Sequence, residues 1–344
     1  MPKPSITAPV ELYRDAEIYQ RERLKIFART WQFLGLEVDL VRTGDYRAET
    51  LAGYPVVVVR DEAGGLRGFH NLCRHRAGPL VDDPKGRCDQ AFVCRFHSWR
   101  YAFDGRLLAA TDFGPAEEFD VAEFSLVPIQ VQTWRGFVFV NLDPTAASLS
   151  GVLATIDELL GAPIRRPARA HDRHPVRCNW KVIVENYLDG YHLQGVHPAL
   201  ASVAGAQRHD VHLLGDIAVY RAQDEAAESV WAWVWPNLGI SLYRGVLMLE
   251  SFRPDGPDRT VIDHVFLHEP EDPRVDAAIH YAERITEEDV RVSERVQQNL
   301  DAGVFSTGVL SPSNEAAVAA FQAKIVGVLS MESGRSDGDA DALP

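Results

Sequence analysis

Asn179-Trp180-Lys181-Val182-Ile183-Val184-Glu185-Asn186-Tyr187-Leu188-Asp189-Gly190-Tyr191-His192-Leu193-Gln194-Gly195-Val196-His197-Pro198 is the stretch on which the reading of this chain turns. Its spacing predicts a helix that puts Val182, Glu185, Asp189 and His192 on one stripe. A stripe that starts apolar and then carries two carboxylates and an imidazole is no ordinary core face. Carboxylates are rarely buried unless they are paired or bind metal. Gly195 and Pro198 predict that the helix loosens or ends there, so that His197 folds back towards His192. Two His and one carboxylate from elsewhere make the facial set that holds non-haem Fe(II) and leaves coordination positions open. On this stretch alone, two structural histidines beside a solvated acidic face explain the pattern equally well.

The rest of the chain narrows the choice. Its 344 residues predict two domains, or one with a large insertion. The net charge of −14 excludes a general nucleic-acid binder. Met1-Pro2-Lys3-Pro4 has no signal-like apolar region, and no apolar run reaches transmembrane length, so a cytoplasmic protein without a membrane anchor is expected. In that compartment Cys73, Cys88, Cys94 and Cys178 are expected as thiols or metal ligands, not disulfides.

Residues 11–34 read as helix, with Leu12, Ile18, Leu24, Ile26 and Phe27 amid charges. Val56-Val57-Val58-Val59 signals a buried strand, followed by a turn at Asp61–Gly65 and a returning strand at Leu66–Phe69. Short strands continue to Gly136-Phe137-Val138-Phe139-Val140, which predicts a small all-β domain over 45–145. Beyond Asp143-Pro144, helices alternate with longer strands. Ser229–Leu249 reads as two strands joined at Pro236-Asn237-Leu238-Gly239, and Arg259–Leu267 as another. Thr286–Leu300 and Glu315–Leu329 read as helices. Residues 333–344 are polar and acidic and predict a disordered tail.

Within the β domain stand Cys73-Arg74-His75 and Cys94-Arg95-Phe96-His97. Each pair offers a thiolate and an imidazole on a tight loop. A structural zinc site is one reading, but zinc modules usually pair Cys with Cys and His with His. A Rieske [2Fe–2S] cluster fits better, because there one iron takes two thiolates and the other two imidazoles. Cys88 and Cys178 have no partner imidazole at matching spacing and read as plain structural thiols.

These motifs identify a resemblance. The chain resembles the α-subunit of Rieske non-haem iron oxygenases, the aromatic ring-hydroxylating oxygenase family, along most of its length. The resemblance is carried by Asn71-Leu72-Cys73-Arg74-His75-Arg76, by Cys94-Arg95-Phe96-His97-Ser98-Trp99, by Phe103-Asp104-Gly105-Arg106-Leu107 and by the stretch 179–198. Ala77, Arg95 and Ser98 depart from the family's usual Gly, Pro and Gly. None of these removes a ligand, but side chains at 77 and 98 crowd tight loops. The resemblance implies that Cys73, His75, Cys94 and His97 hold the cluster and that His192 and His197 ligate the iron. It also implies that Asp189 bridges a cluster His of one subunit and an iron His of the next, within a homotrimeric ring. The implied fold is α+β, with the Rieske domain inserted in a catalytic domain. That domain would cover 1–44 and 146–332, its antiparallel sheet wrapped around a helix in the helix-grip manner.

The triad needs a carboxylate, and Thr286-Glu287-Glu288-Asp289 offers three. Asp289 falls within an apolar stripe of Ile285, Val292, Val296 and Leu300, whereas Glu287 points away and Glu288 lies at its edge. The family pattern also resembles Glu288-Asp289 followed by Glu294 and Gln297, so Asp289 is the expected third ligand. The implied enzyme takes NAD(P)H-derived electrons from a ferredoxin or flavin reductase and hydroxylates a small organic substrate with O2. An aromatic ring is the favoured substrate. A quaternary ammonium compound is the alternative, since Trp231, Trp233 and Trp235 share a strand face that would suit a cation cage, although packing explains them as well. The segment Asn71–Arg100 is locally basic and would suit an acidic electron donor. Two readings of other classes remain: an electron carrier with a dead second site, and a zinc-stapled binding protein.

Overall fold

The computed structural model describes residues 3–115, 119–161, 171–198, 211–223, 228–243, 245–268 and 275–331. The expected tail over 333–344 lies outside them, and so does His209, which the sequence marks only as a structural or pocket-lining histidine. The chain divides into two compact units, and one is inserted in the sequence of the other.

The inserted unit covers Phe27–Leu153. Its main sheet runs in the order Gln32–Leu36, Phe137–Asn141, Pro128–Trp134, Leu66–His70, Tyr54–Arg60, Asp45–Leu51, Lys85–Arg87, antiparallel throughout. The valine run is apolar at every position because both faces of its strand are covered. Val57 and Val59 enter a core with Cys73, Cys94 and Trp99, while Val56 and Val58 enter another with Leu34, Val138 and Val140. A smaller sheet of Phe92–Val93, Arg100–Tyr101 and Leu107–Ala109 carries the second Cys–His loop.

The other unit joins Met1–Ile26 to Ala154–Gly334. Its antiparallel sheet runs in the order His171–Val176, Thr260–Leu267, Val246–Pro254, Leu238–Tyr243, Glu228–Val234, Ile217–Gln223, Val211–Leu214. The helices used below are α1 (Ala16–Glu22), α2 (Trp180–Leu188), α3 (Leu193–Val196), α4 (Val275–Asp301) and α5 (Ala316–Ser330). Cross-strand partners share a face, so Tyr220, Trp231, Ser241, Met248 and Phe266 form one row, and Ala218, Trp233, Gly239, Glu250 and His264 the next. Phe266 and Val246 pack on Val275 and Ile279 of α4, which identifies this face as the one covered by helices. Tyr187 of α2 lies so close over Gly239 that a Cβ there would come within 2.8 Å of its ring. None of the helices is long and apolar enough to cross a membrane among the described residues.

Several expectations are corrected. The helix read over 11–34 is a 3₁₀ turn at Val10–Tyr13, then α1, then a π-turn at Arg23–Phe27. Gln32–Leu36 is instead a strand, claimed by pairing with Phe137–Asn141. Ser229–Leu249 falls in three strands, not two, and α4 starts at Val275, well before Thr286. The helix expected through 179–198 stops at Leu188. Asp189 turns extended at φ −98°, ψ 106°, and the Leu188 carbonyl accepts from Tyr220 Oη at 2.6 Å in place of a continuing helical N–H.

Candidate metal centres and active site

Both Cys–His loops close in the same way. Cys73 N–H donates to Gly78 O and Ala77 N–H to Cys73 O; Cys94 N–H donates to Trp99 O and Ser98 N–H to Cys94 O. Each loop turns through a left-handed residue, Ala77 at φ +53° and Ser98 at φ +58°. Both thiols are buried, at 2 % exposure each. Gly78 gives room, since a Cβ there would stand 3.1 Å from Cys94 Sγ. Tyr101 Oη lies 3.1 Å from Cys73 Sγ and accepts from the Arg74 N–H. The imidazoles of His75 and His97 meet edge to face at 4.5 Å, nearer the surface than the sulfurs, and Trp99 stacks on His75 at 4.9 Å.

The donor set suits an Fe–S cluster with two inner thiolates and two outer imidazoles. His75 Nδ1 is buried without a hydrogen-bond partner among the described residues, as a nitrogen kept for a metal would be. His97 Nε2 is 3.1 Å from Arg76 Nη2, and a guanidinium only donates, so Nε2 accepts and Nδ1 is the nitrogen that could bind a metal. Cys88 is half-buried and Cys178 buried, its thiol pushed up to about 12 by burial first of all. Neither joins the loops.

The break at Asp189 rearranges the second site. His192 is not on a stripe with Glu185; it is the residue before α3, and His197 is the residue after it. One short helical turn thus separates the two, and their rings meet edge to face at 5.1 Å. Asp289 Oδ1 lies 3.5 Å from His192 Nε2 and 2.8 Å from His197 Nε2. Ligand atoms of all three residues fall within 4.8 Å of one another. The far nitrogens face carboxylates as well: His197 Nδ1 is 2.6 Å from Glu288 Oε2, and His192 Nδ1 is 3.7 Å from Asp189 Oδ2.

The electrostatics favour a cation. Burial opposes charge on His192, but Asp189 and Asp289 outweigh it and hold the imidazole up at about 9. Burial also opposes charge on Asp289, yet His192, His197 and the Asn186 side chain hold it below the usual carboxylate range. Two imidazoles presenting Nε2 to one carboxylate, each backed by a second carboxylate, are what a 2-His-1-carboxylate metal requires.

Glu288 is the residue that sequence reasoning placed wrongly. It does not sit idle at the edge of a stripe; it turns in and holds His197. The buried stripe of α4 is itself different from that expected: Val275, Ile279, Thr286, Ser293, Gln297 and Leu300 are buried, while Val296 is 41 % exposed. Glu287 is exposed and pairs with Arg291, and Glu294 holds Arg177. Gln297 accepts from the Asn179 N–H and so fixes the start of α2. Of the three tryptophans, Trp233 and Trp235 pack on Phe321 of α5, whereas Trp231 is half-buried and lies 6.2 Å from Tyr243. Glu250, on the same face, receives His264 Nε2 at 2.8 Å.

Two family models match the chain. One is described as the Rieske [2Fe-2S] domain and covers residues 30–125; the other, the ring hydroxylating alpha subunit (catalytic domain), covers 165–222 and 214–330. Chloroplastic choline monooxygenase of Spinacia oleracea is 27 % identical over 330 residues, 89 % of this chain and 74 % of that one. The carnitine monooxygenase oxygenase subunit of Escherichia coli K12 is 27 % identical over 322 residues, 87 % of this chain and 85 % of that one. Among solved structures, a quaternary ammonium Rieske monooxygenase with L-carnitine has the same fold, with a TM-score of 0.83 at 24 % identity over 94 % of this chain and 96 % of that one.

Proposed function

The chain belongs to the Rieske non-haem iron oxygenases, and on that premise we propose that it oxygenates a quaternary ammonium compound. It is an oxidoreductase, the terminal component that combines a Rieske [2Fe–2S] domain with a catalytic domain of the kind that uses mononuclear iron. The relatives named above support the substrate. So does one feature of the sheet face beneath α2: Trp231 and Tyr220 pair across it, Tyr243 lies 6.2 Å from Trp231, and the buried carboxylate of Glu250 stands in the next row. Aromatic faces and a carboxylate are what a cation without N–H donors recognises. The aromatic-ring substrate expected from the sequence, and aromatic hydrocarbon catabolism with it, finds no support in the activities of the choline and carnitine relatives.

In this reading Cys73, Cys94, His75 and His97 hold the cluster, and His192, His197 and Asp289 hold Fe(II). When bound, the cluster supplies single electrons and the iron supplies O2 activation. Glu288 accepts the His197 Nδ1 proton, which fixes the tautomer that leaves Nε2 for metal. Asn186 holds the Asp289 carboxylate in place. Asp189, its backbone held by the end of α2 and its Oδ1 by the Tyr191 N–H, faces His192 and would carry electron coupling from the cluster of a neighbouring subunit. The proposal extends to a homotrimer, a ferredoxin or flavin reductase partner drawing on NAD(P)H, and a cytoplasmic location. Arg74, Arg95 and Arg100 stand exposed around the cluster loops and suit an acidic partner.

The test is oxygen consumption by the iron-loaded protein with NADH and a flavin reductase. Choline, glycine betaine and carnitine would be compared with naphthalene and benzoate. Substrate-coupled consumption with a trimethylammonium compound supports the reading, and coupled consumption with arenes alone overturns it.

A further inference from the structure

A cavity of about 240 Å³ lies on the side of α2 that carries Glu185, Asn186 and Asp189. Its walls from α4 and α5 are largely apolar, and it reaches the surface where Val296 and Phe305 are each 41 % exposed. At one end Tyr13 Oη donates to Glu185 Oε1 at 2.6 Å, Gln322 Nε2 donates to Tyr13 Oη at 3.0 Å, and Gln322 Oε1 accepts from the Ala8 N–H. At the other end are two residues that touch the candidate metal site, Asn186 of α2 donating to Asp289 and Asp189, just past its end, facing His192. The space is large enough for several water molecules, and its carboxylates and amides offer the polar partners such water needs.

We propose that Glu185 is a proton-relay residue, holding a proton at the inner end of this cavity and passing it through cavity water towards the metal end. Either kind of oxygenation consumes two protons. Hydroxylation is RH + O2 + 2 e⁻ + 2 H⁺ → ROH + H2O, with the electrons coming from the reductase. In the relay the Glu185 O–H bond breaks, cavity water carries the proton past Asp189 and Asn186, and the proton ends in product. Glu185 then takes another from solvent through the cavity mouth.

The surroundings suit a group that must both hold and release a proton. Burial pushes the Glu185 carboxyl up to about 7, Glu315 at the start of α5 adds to the rise, and the Tyr13 and Gln322 hydrogen bonds with Lys181 on α2 hold it back. Lys181 is itself tied to Glu22 of α1, and the α4 residues that line the cavity carry no titratable group. A tether for the N-terminal segment would need only the hydrogen bond from Tyr13, not a proton on Glu185.

The metal-loaded protein is compared as wild type, Glu185→Gln and Tyr13→Phe. Glu185→Gln keeps the acceptor for Tyr13 and the side-chain volume but cannot release a proton. Infrared titration needs no substrate, so it stands whatever the substrate proves to be. Wild type should lose a protonated-carboxyl band near pH 7 that Glu185→Gln lacks. Oxygen consumption in wild type should fall above about pH 7. Glu185→Gln should run roughly a hundredfold slower without that limb, at the low end for lost proton transfer. Tyr13→Phe, which removes a hydrogen bond to the carboxylate, should move the limb to higher pH. The proposal is overturned if the band survives in Glu185→Gln, if that variant keeps both rate and limb, or if the two variants lose stability alike while the pH profile stays put.

Discussion

Ala77 and Ser98 occupy the left-handed region that an L side chain enters at a cost of about 1–2 kcal/mol. Both are positions where the family usually has glycine, so the loops carry strain at the two points where each chain reversal closes around a thiolate. Ala77→Gly and Ser98→Gly are each expected to stabilise the cluster unit by roughly 1 kcal/mol, less the entropy that glycine adds to the unfolded chain. The measurement is the temperature at which the visible cluster absorbance is lost. Glu288 bears on the other site. Because it holds the far nitrogen of His197, Glu288→Ala should weaken Fe(II) binding about 10–100-fold with the proposed ligands His192, His197 and Asp289 untouched. Competition with a metallochromic chelator reads this directly, and unchanged affinity would show that the 2.6 Å contact does not orient the ring. The two loops whose imidazoles meet were legible residue by residue, since Cys-x-His and Cys-x-x-His state their chemistry locally. Glu288 was not, because nothing in its neighbours shows which way it turns.

At the scale of elements, α2 is fastened by a buried ion pair. Lys181 Nζ lies 2.6 Å from Glu22 Oε1, both side chains are at most 2 % exposed, and Trp180 Nε1 donates to the other Glu22 oxygen. Removing one partner leaves a buried charge alone, so Glu22→Gln should cost about 3–5 kcal/mol. Glu22→Gln with Lys181→Met should cost less than the two single changes added together, as a double-mutant cycle in denaturant would show. Glu185 adds a pH dependence. Its carboxyl is raised from an ordinary 4.5 to about 7, first by burial, so the folded state favours the protonated form. That contribution is fully present below about pH 4.5 and is lost as pH rises through 7. Glu185→Gln should therefore flatten the fall in stability between those values, and a parallel pH curve for the variant would contradict it. Periodicity found α5 and the start of α2 to within a residue, because their apolar faces recur locally. It overran the break at Asp189, since the group that ends the helix, Tyr220, is 32 residues from its acceptor Leu188.

For the whole molecule, two metal sites in two units predict about three irons for every two acid-labile sulfides. Treatment with a mild chelator should remove one iron in three and abolish substrate-coupled oxygen consumption, while the rhombic EPR signal of the reduced cluster stays. Loss of the cluster signal in step with the first iron removed would argue against two independent sites. The sequence by itself determined the insertion of a β unit and singled out both Cys–His loops and the His192–His197 pair, because each lies within a short window where spacing and chemistry coincide. It also marked Asp289, through a carboxylate among apolar helix positions. Only the tertiary structure decided that Asp289 meets His197 across 92 residues, that Glu288 stands behind it, and that Glu185 turns away to Tyr13, 172 residues off. Such partners are selected by which faces pack, and packing depends on the whole chain, so no local pattern records it.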